Sequence, residues 1–103
     1  MAVKVTVERQ VIPGAQEEVT RLLRELLSKA VRQAGFISGE TVIDAYNPTI
    51  FLIISTWSSI NAWEKWEENP ERLETIAQIN AFLQASARVR LWLEDTDAPP
   101  PAA

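Results

Sequence analysis

A chain of 103 residues, 47% apolar and 23% charged, has the balance of one folded globular unit and too little length for a two-domain enzyme. Ten Lys and Arg against fourteen Asp and Glu give a formal charge of −4, and no basic run gathers on one stretch, which argues against nucleic acid and acidic membrane surfaces as partners. With no Cys and no His, a disulfide framework, thiol chemistry, the commonest metal ligand and the commonest general base are all missing. No apolar run approaches membrane-spanning length and no signal-peptide core follows Met1, so a cytoplasmic location is expected.

Residues 3–12 open with Val3, Val5 and Val7 alternating with Lys4, Thr6 and Glu8, the period of a strand with one face on a core, and Pro13-Gly14 ends it. Across 16–34 the positions Val19, Leu22, Leu23, Leu26, Leu27, Ala30, Val31 and Ala34 follow one helix face. Glu17 with Arg21 and Glu25 with Lys29 are spaced for outer-face pairs, and Gly35 stands where a left-handed C-cap belongs. Residues 36–46 read as a strand through Ile37, Thr41, Val42 and Ile43, with Gly39 marking a bulge or a close backbone approach, and Asn47-Pro48 as a turn. Residues 50–57 are apolar on both faces, Phe51, Ile53 and Trp57 on one, Leu52, Ile54 and Thr56 on the other. Ser58 or Ser59 can N-cap a short helix carrying Ile60, Trp63 and Trp66, and Asn69-Pro70 starts another with Leu73, Ile76, Ala77 and Leu83. A last strand at 88–94 sets Val89, Leu91 and Leu93 against Arg88, Arg90 and Trp92. The folded unit is therefore expected over 1–95, and 96–103, with three prolines, as a disordered tail.

This order predicts an α+β, ferredoxin-like β-α-β-β-α-β domain with a four-stranded antiparallel sheet and helices on one face. The uncovered face mixes Leu52, Ile54 and Trp92 with Lys4, Glu8, Glu40, Arg88 and Arg90. A second sheet is the simplest cover, so a homodimer is expected.

Gly35-Phe36-Ile37-Ser38-Gly39-Glu40-Thr41, then Ile53-Ile54-Ser55-Thr56-Trp57-Ser58, Trp63-Glu64-Lys65-Trp66 and Asn69-Pro70-Glu71-Arg72 together resemble the antibiotic biosynthesis monooxygenase family. The resemblance spans roughly 3–95, the whole folded unit. It implies a dimeric α+β barrel with a cavity in each subunit between helices and sheet, used in some members for cofactor-independent oxygenation of polycyclic phenols and in others for haem degradation. The haem-degrading branch asks for an axial His ten residues beyond the second Trp, where this chain has Ile76, and for an Asn in the first strand, where 3–12 has none. Haem is therefore not expected, and neither is any other cofactor or metal.

The resemblance places Trp66 at a pocket-lining position, with Trp63 one turn earlier, while the bare spacing reads equally as core; Trp57 carries the same two readings. Asn80 follows Leu73 by seven and Ile76 by four, on a face that should be apolar, so its amide either bonds backbone near the helix end or serves a pocket. Some cofactor-free members carry an Asn four residues before the pocket Trp; here that position is Ala62, with Asn61 beside it. Tyr46, the only Tyr, offers a substrate-directed hydroxyl or merely ends a strand. Glu64, Glu67, Glu68, Glu71 and Glu74, interleaved with Lys65 and Arg72, read as a solvated face with a Glu68/Arg72 pair rather than a metal site.

Trp66, Asn61 and Asn80 are thus the catalytic candidates and Trp63, Trp57 and Tyr46 the substrate-binding ones, with Arg9 or Arg88 stabilising an anion if either points inward. The function expected is a cofactor-independent monooxygenase using dioxygen on a polycyclic phenol or hydroquinone. The rival is a non-catalytic dimeric small-molecule-binding or accessory domain. A solvent-connected cavity above roughly 300 Å³ beside Trp66 favours the first and a solid core there the second.

Overall fold

The opening alternation becomes β1 (Val3–Gln10), with Val3, Val5 and Val7 buried and Lys4 exposed. The computed structural model describes residues 1–96, so the expected tail lies, from residue 97 on, outside the described residues. Helix α1 (Gln16–Ala30) buries Val19, Leu22, Leu23 and Ala30. It stops short of the expected Ala34 because Arg32 N–H donates to the Lys29 carbonyl and Gln33 Nε2 donates to the same oxygen, closing the last turn. Val31 and Ala34 are consequently exposed. On the outer face Glu25 pairs with Lys29 as expected, whereas Arg21 pairs with Glu18 rather than Glu17.

Gly35 is not the helix cap but the last residue before β2 (Phe36–Ile43), at φ 88°. A Cβ there would lie 2.5 Å from the Ala62 Cβ, so glycine is required both by the backbone and by the close approach of the next helix. The bulge of β2 falls between Phe36 and Ser38. Gly39 supplies the close approach instead, since a Cβ at that position would come within 3.1 Å of the Leu27 side chain. The strand ends at Ile43 because the Asp44 carboxylate accepts from Tyr46 N–H and Asn47 N–H at 2.8 and 2.9 Å, turning the chain before Asn47-Pro48.

Strand β3 (Ile50–Trp57) is followed by α2 (Ile60–Glu67), α3 (Pro70–Asn80) and β4 (Arg88–Leu93). Ser59 caps α2 by accepting from Ala62 N–H at 3.0 Å, and Asn69 caps α3 by accepting from Glu71 N–H at 2.8 Å with Pro70 in the first turn. Ser59→Ala is expected to lower stability by about 1 kcal/mol, read from urea unfolding, with the fold unchanged.

The strands pair antiparallel in the order β2-β3-β1-β4, and the element order is β-α-β-β-α-α-β, the ferredoxin-like arrangement with the second helical segment broken at Asn69-Pro70. Two apolar clusters fill the space between sheet and helices. One gathers Val3, Val5, Val7, Ala30, Trp57, Trp63 and Trp66; the other gathers Val11, Val19, Leu22, Leu23, Phe51 and Ile79. Along β1 the position between Val7 of the first and Val11 of the second belongs to Arg9, and it is buried.

Helix α3 is rotated from the expected phase. It buries Arg72, Thr75 and Ile79, while Leu73, Ala77 and Asn80 face outward. The polar members of that stripe are bonded: Lys29 Nζ donates to Thr75 Oγ1 at 2.9 Å, and Arg72 Nη1 donates to the Glu67 carbonyl at 3.2 Å. Arg72 is therefore no part of a solvated face, and its expected pairing with Glu68 is replaced by this backbone contact.

On the sheet face away from the helices, Leu52, Ile54 and Thr56 are half-buried and Val42 and Trp92 exposed. Trp92 Nε1 donates to Thr6 Oγ1 at 2.9 Å and Arg90 lies over the Trp92 ring. Among the described residues no helix is long and apolar enough to cross a membrane.

Candidate functional site

Three tryptophans converge where β3 ends and α2 begins. Trp57 is fully buried, with ring centroids 6.0 Å from Trp63 and 6.2 Å from Trp66, and Phe36 meets it edge-on at 5.3 Å. Its indole N–H donates to Ser55 Oγ at 3.1 Å, satisfying both buried polar groups. The spacing of Trp63 and Trp66 on α2 points both rings at the sheet. They pack so closely that the void they border, between α1, β2 and β3, is only about 60 Å³. That is room for a water or two, far from an aromatic ligand.

More open space on the helix side of the sheet lies beside α3, where no tryptophan lines it. A groove of about 440 Å³ runs between α3, the 83–87 segment and the helix-side face of β1 and β4. It exists because the helix layer does not close over β4: Val89 and Leu91 are paired with buried Val7 and Val5 yet stay exposed. One end is shut where Ile12 N–H donates to the Phe82 carbonyl and Gln84 N–H to the Gln10 carbonyl. Val7, Arg9 and Arg72 border both the groove and the small void.

Arg9 and Arg72 set the electrostatics. Their residues are 2% and 7% exposed, and neither guanidinium has an ion-pair partner among the described residues. Arg9 Nε has no hydrogen-bond partner there either. Burial first, and the like charge of Arg72 second, push the Arg9 guanidinium down to about 10, so it stays a cation at neutral pH. Burial likewise lowers Arg72, against a smaller opposing pull from Glu67. Arg72 also sits over the Trp63 ring, 5.2 Å from its centroid, joining the cationic floor to the tryptophan wall.

The sequence pattern of a family described as antibiotic biosynthesis monooxygenase matches residues 2–78. The chain belongs to that family. No curated protein matches it in sequence. Among solved structures, a conserved protein from Methanosarcina mazei Go1 superposes with a TM-score of 0.85 at 17% identity, covering 89% of this chain and 91% of that one. A structure described as antibiotic biosynthesis monooxygenase gives 0.82 at 24% identity over 95% and 99% of the two chains. SnoaB from Streptomyces nogalater, described as a cofactor-independent oxygenase, gives 0.81 at 17% identity over 97% and 100%. At these identities the structures share the fold.

On this monooxygenase-family fold the six candidate residues separate. Trp57, Trp63 and Trp66 come together in the packed cluster, and Asn80, exposed at the end of α3, borders the groove. Asn61 lies exposed in the first turn of α2, and Tyr46 is 99% exposed in the β2–β3 turn; neither borders the void or the groove. Arg88 points away from the helices, 4.0 Å from Glu8 across the outer sheet face. Arg9 is the inward-facing arginine of the two. Arg72 looks solvated in the sequence because its neighbours are acidic, although it stands three, four and seven residues before Thr75, Ile76 and Ile79.

Proposed function

We propose that the chain is a cytoplasmic, homodimeric, cofactor-independent monooxygenase that takes a polycyclic phenol or hydroquinone into the groove beside α3. The observation that carries the reading is the pair of buried cations, Arg9 and Arg72, bordering that groove, with Arg72 backed by the Trp63 ring of the packed cluster behind it. Family membership supports the reaction class. A flat ring against the apolar flank of Val7, Ile76 and Val89 would place its ionised oxygen toward Arg9 and Arg72. The substrate anion passes one electron to dioxygen, its radical and superoxide couple at carbon, the resulting peroxide anion takes back the proton the substrate gave up, and the hydroperoxide loses water to leave a carbonyl. The protein's share is orientation, exclusion of water and stabilisation of the anion.

Oxygen uptake with a panel of anthrones and naphthohydroquinones, with chelator present, tests this. Uptake that persists under chelation supports the proposal; uptake that stops with chelator, or none across the panel, overturns it. Asn80→Leu is expected to change stability by less than about 0.5 kcal/mol, because the side chain is exposed, while lowering turnover through its place on the groove.

The packed tryptophan cluster favours a second reading, a small-molecule-binding accessory domain of the same fold. Quenching of tryptophan fluorescence by the panel without oxygen uptake is its signature. Pairing of two sheets would cover Leu52, Ile54, Val42 and Trp92, and sedimentation at micromolar concentration is expected to give a dimer. A monomer there would remove the sheet-pairing argument.

A further inference from the structure

We propose that Arg9 and Arg72 form a receptor for an organic anion, binding a carboxylate or an ionised phenol or enol oxygen carried on a flat ring in the groove. This is a statement about binding, and it holds whether or not oxygenation follows.

Three observations converge. Arg9 stands at the junction of the two core clusters, between the inward-facing Val7 and Val11, yet Arg9 Nε has no acceptor among the described residues. A guanidinium presents five donors and ordinarily finds carboxylate or carbonyl partners when buried. Second, Arg72 brings another cation to the same place, and its identified acceptor is the single Glu67 carbonyl. A chain with a net charge of −4 has carboxylates to spare, but among the described residues none is in ion-pair contact with either guanidinium. Glu67 borders the groove and remains exposed.

Third, both arginines border an open groove of about 440 Å³, so an anion seated there lies against the two side chains. Two like charges in a poorly solvated site are relieved either by losing a proton or by gaining an anion. Arginine keeps its proton at neutral pH, which leaves the anion. The flanking Val7, Ile76 and Val89 are apolar, so the ligand class is an aromatic or alicyclic acid, or an acidic phenol, rather than a bare inorganic ion.

The test is a calorimetric titration of the full chain with 2-naphthoate and with its neutral counterpart 2-naphthamide. The wild type is expected to prefer naphthoate by at least about tenfold in Kd. Arg9→Met and Arg72→Met are each expected to reduce that preference to within about threefold while retaining naphthamide binding, since both keep the stem volume and remove the charge. Equal affinity for the two probes, no naphthoate binding, or a preference that survives both substitutions overturns the proposal. Should either Met variant fail to fold, Arg72→Gln replaces it, and the wild-type comparison needs no variant. A naphthoate preference without oxygen uptake overturns the oxygenase reading alone; oxygen uptake without the preference overturns the receptor alone.

Discussion

Trp57→Ala is expected to lower stability by about 3 to 5 kcal/mol, the range for truncating a large aromatic in a closed core. The indole is fully buried, meets Phe36, Trp63 and Trp66, and ties β3 to α2 and to the start of β2. Its loss also removes the donor to Ser55 Oγ, leaving a buried hydroxyl to find another partner. For a domain of this size the change corresponds to a drop in Tm of roughly 15 to 30 °C. Urea unfolding at 25 °C checks it. A loss below about 1.5 kcal/mol would mean that the cluster is loosely packed and that the void beside Trp66 can expand.

Arg9→Met is expected to do the opposite and stabilise the ligand-free protein by about 2 to 3 kcal/mol at neutral pH. An uncompensated buried cation is replaced by an apolar chain of similar reach, and the repulsion from Arg72 goes with it. The sign with pH follows from the direction of the shift. The folded protein holds this proton less tightly than the unfolded chain, so the penalty is complete below about 10 and is relieved only as pH rises above that toward the ordinary arginine range. The advantage of the variant should therefore be constant from about pH 5 to 9 and shrink above about 10. Paired urea titrations of wild type and variant across that range measure it. A variant less stable than wild type at pH 7 would show that Arg9 has an internal partner.

Much of the fold was readable from local chemistry. The Val3, Val5, Val7 alternation, the Asn69-Pro70 restart and the two-sided apolar strand at 50–57 each declare themselves within a few residues. The tryptophan cluster follows from Trp63 and Trp66 lying one turn apart and from Trp57 closing the strand before them. The groove and its cations were harder to read. Arg9 continues the alternation of β1 two residues past Val7, but an arginine in that register reads as a strand end unless the sheet is known to continue over it. In α3 the buried stripe contains Arg72 and Thr75, so a search for apolar spacing settles on Leu73 and Ala77 and places Asn80 inside. The groove itself depends on how 83–87 crosses to β4 and on how far the helices reach, long-range facts that no local pattern encodes.

That the groove beside α3 is the ligand site, with Arg9 and Arg72 at its floor, is tested most directly by a crystal structure of the full chain grown with 2-naphthoate. The naphthalene ring is expected against Val7, Ile76 and Val89 with its carboxylate within about 3 Å of guanidinium nitrogens of both arginines. A ring seated elsewhere, or a carboxylate directed to solvent with both arginines unchanged, would contradict it.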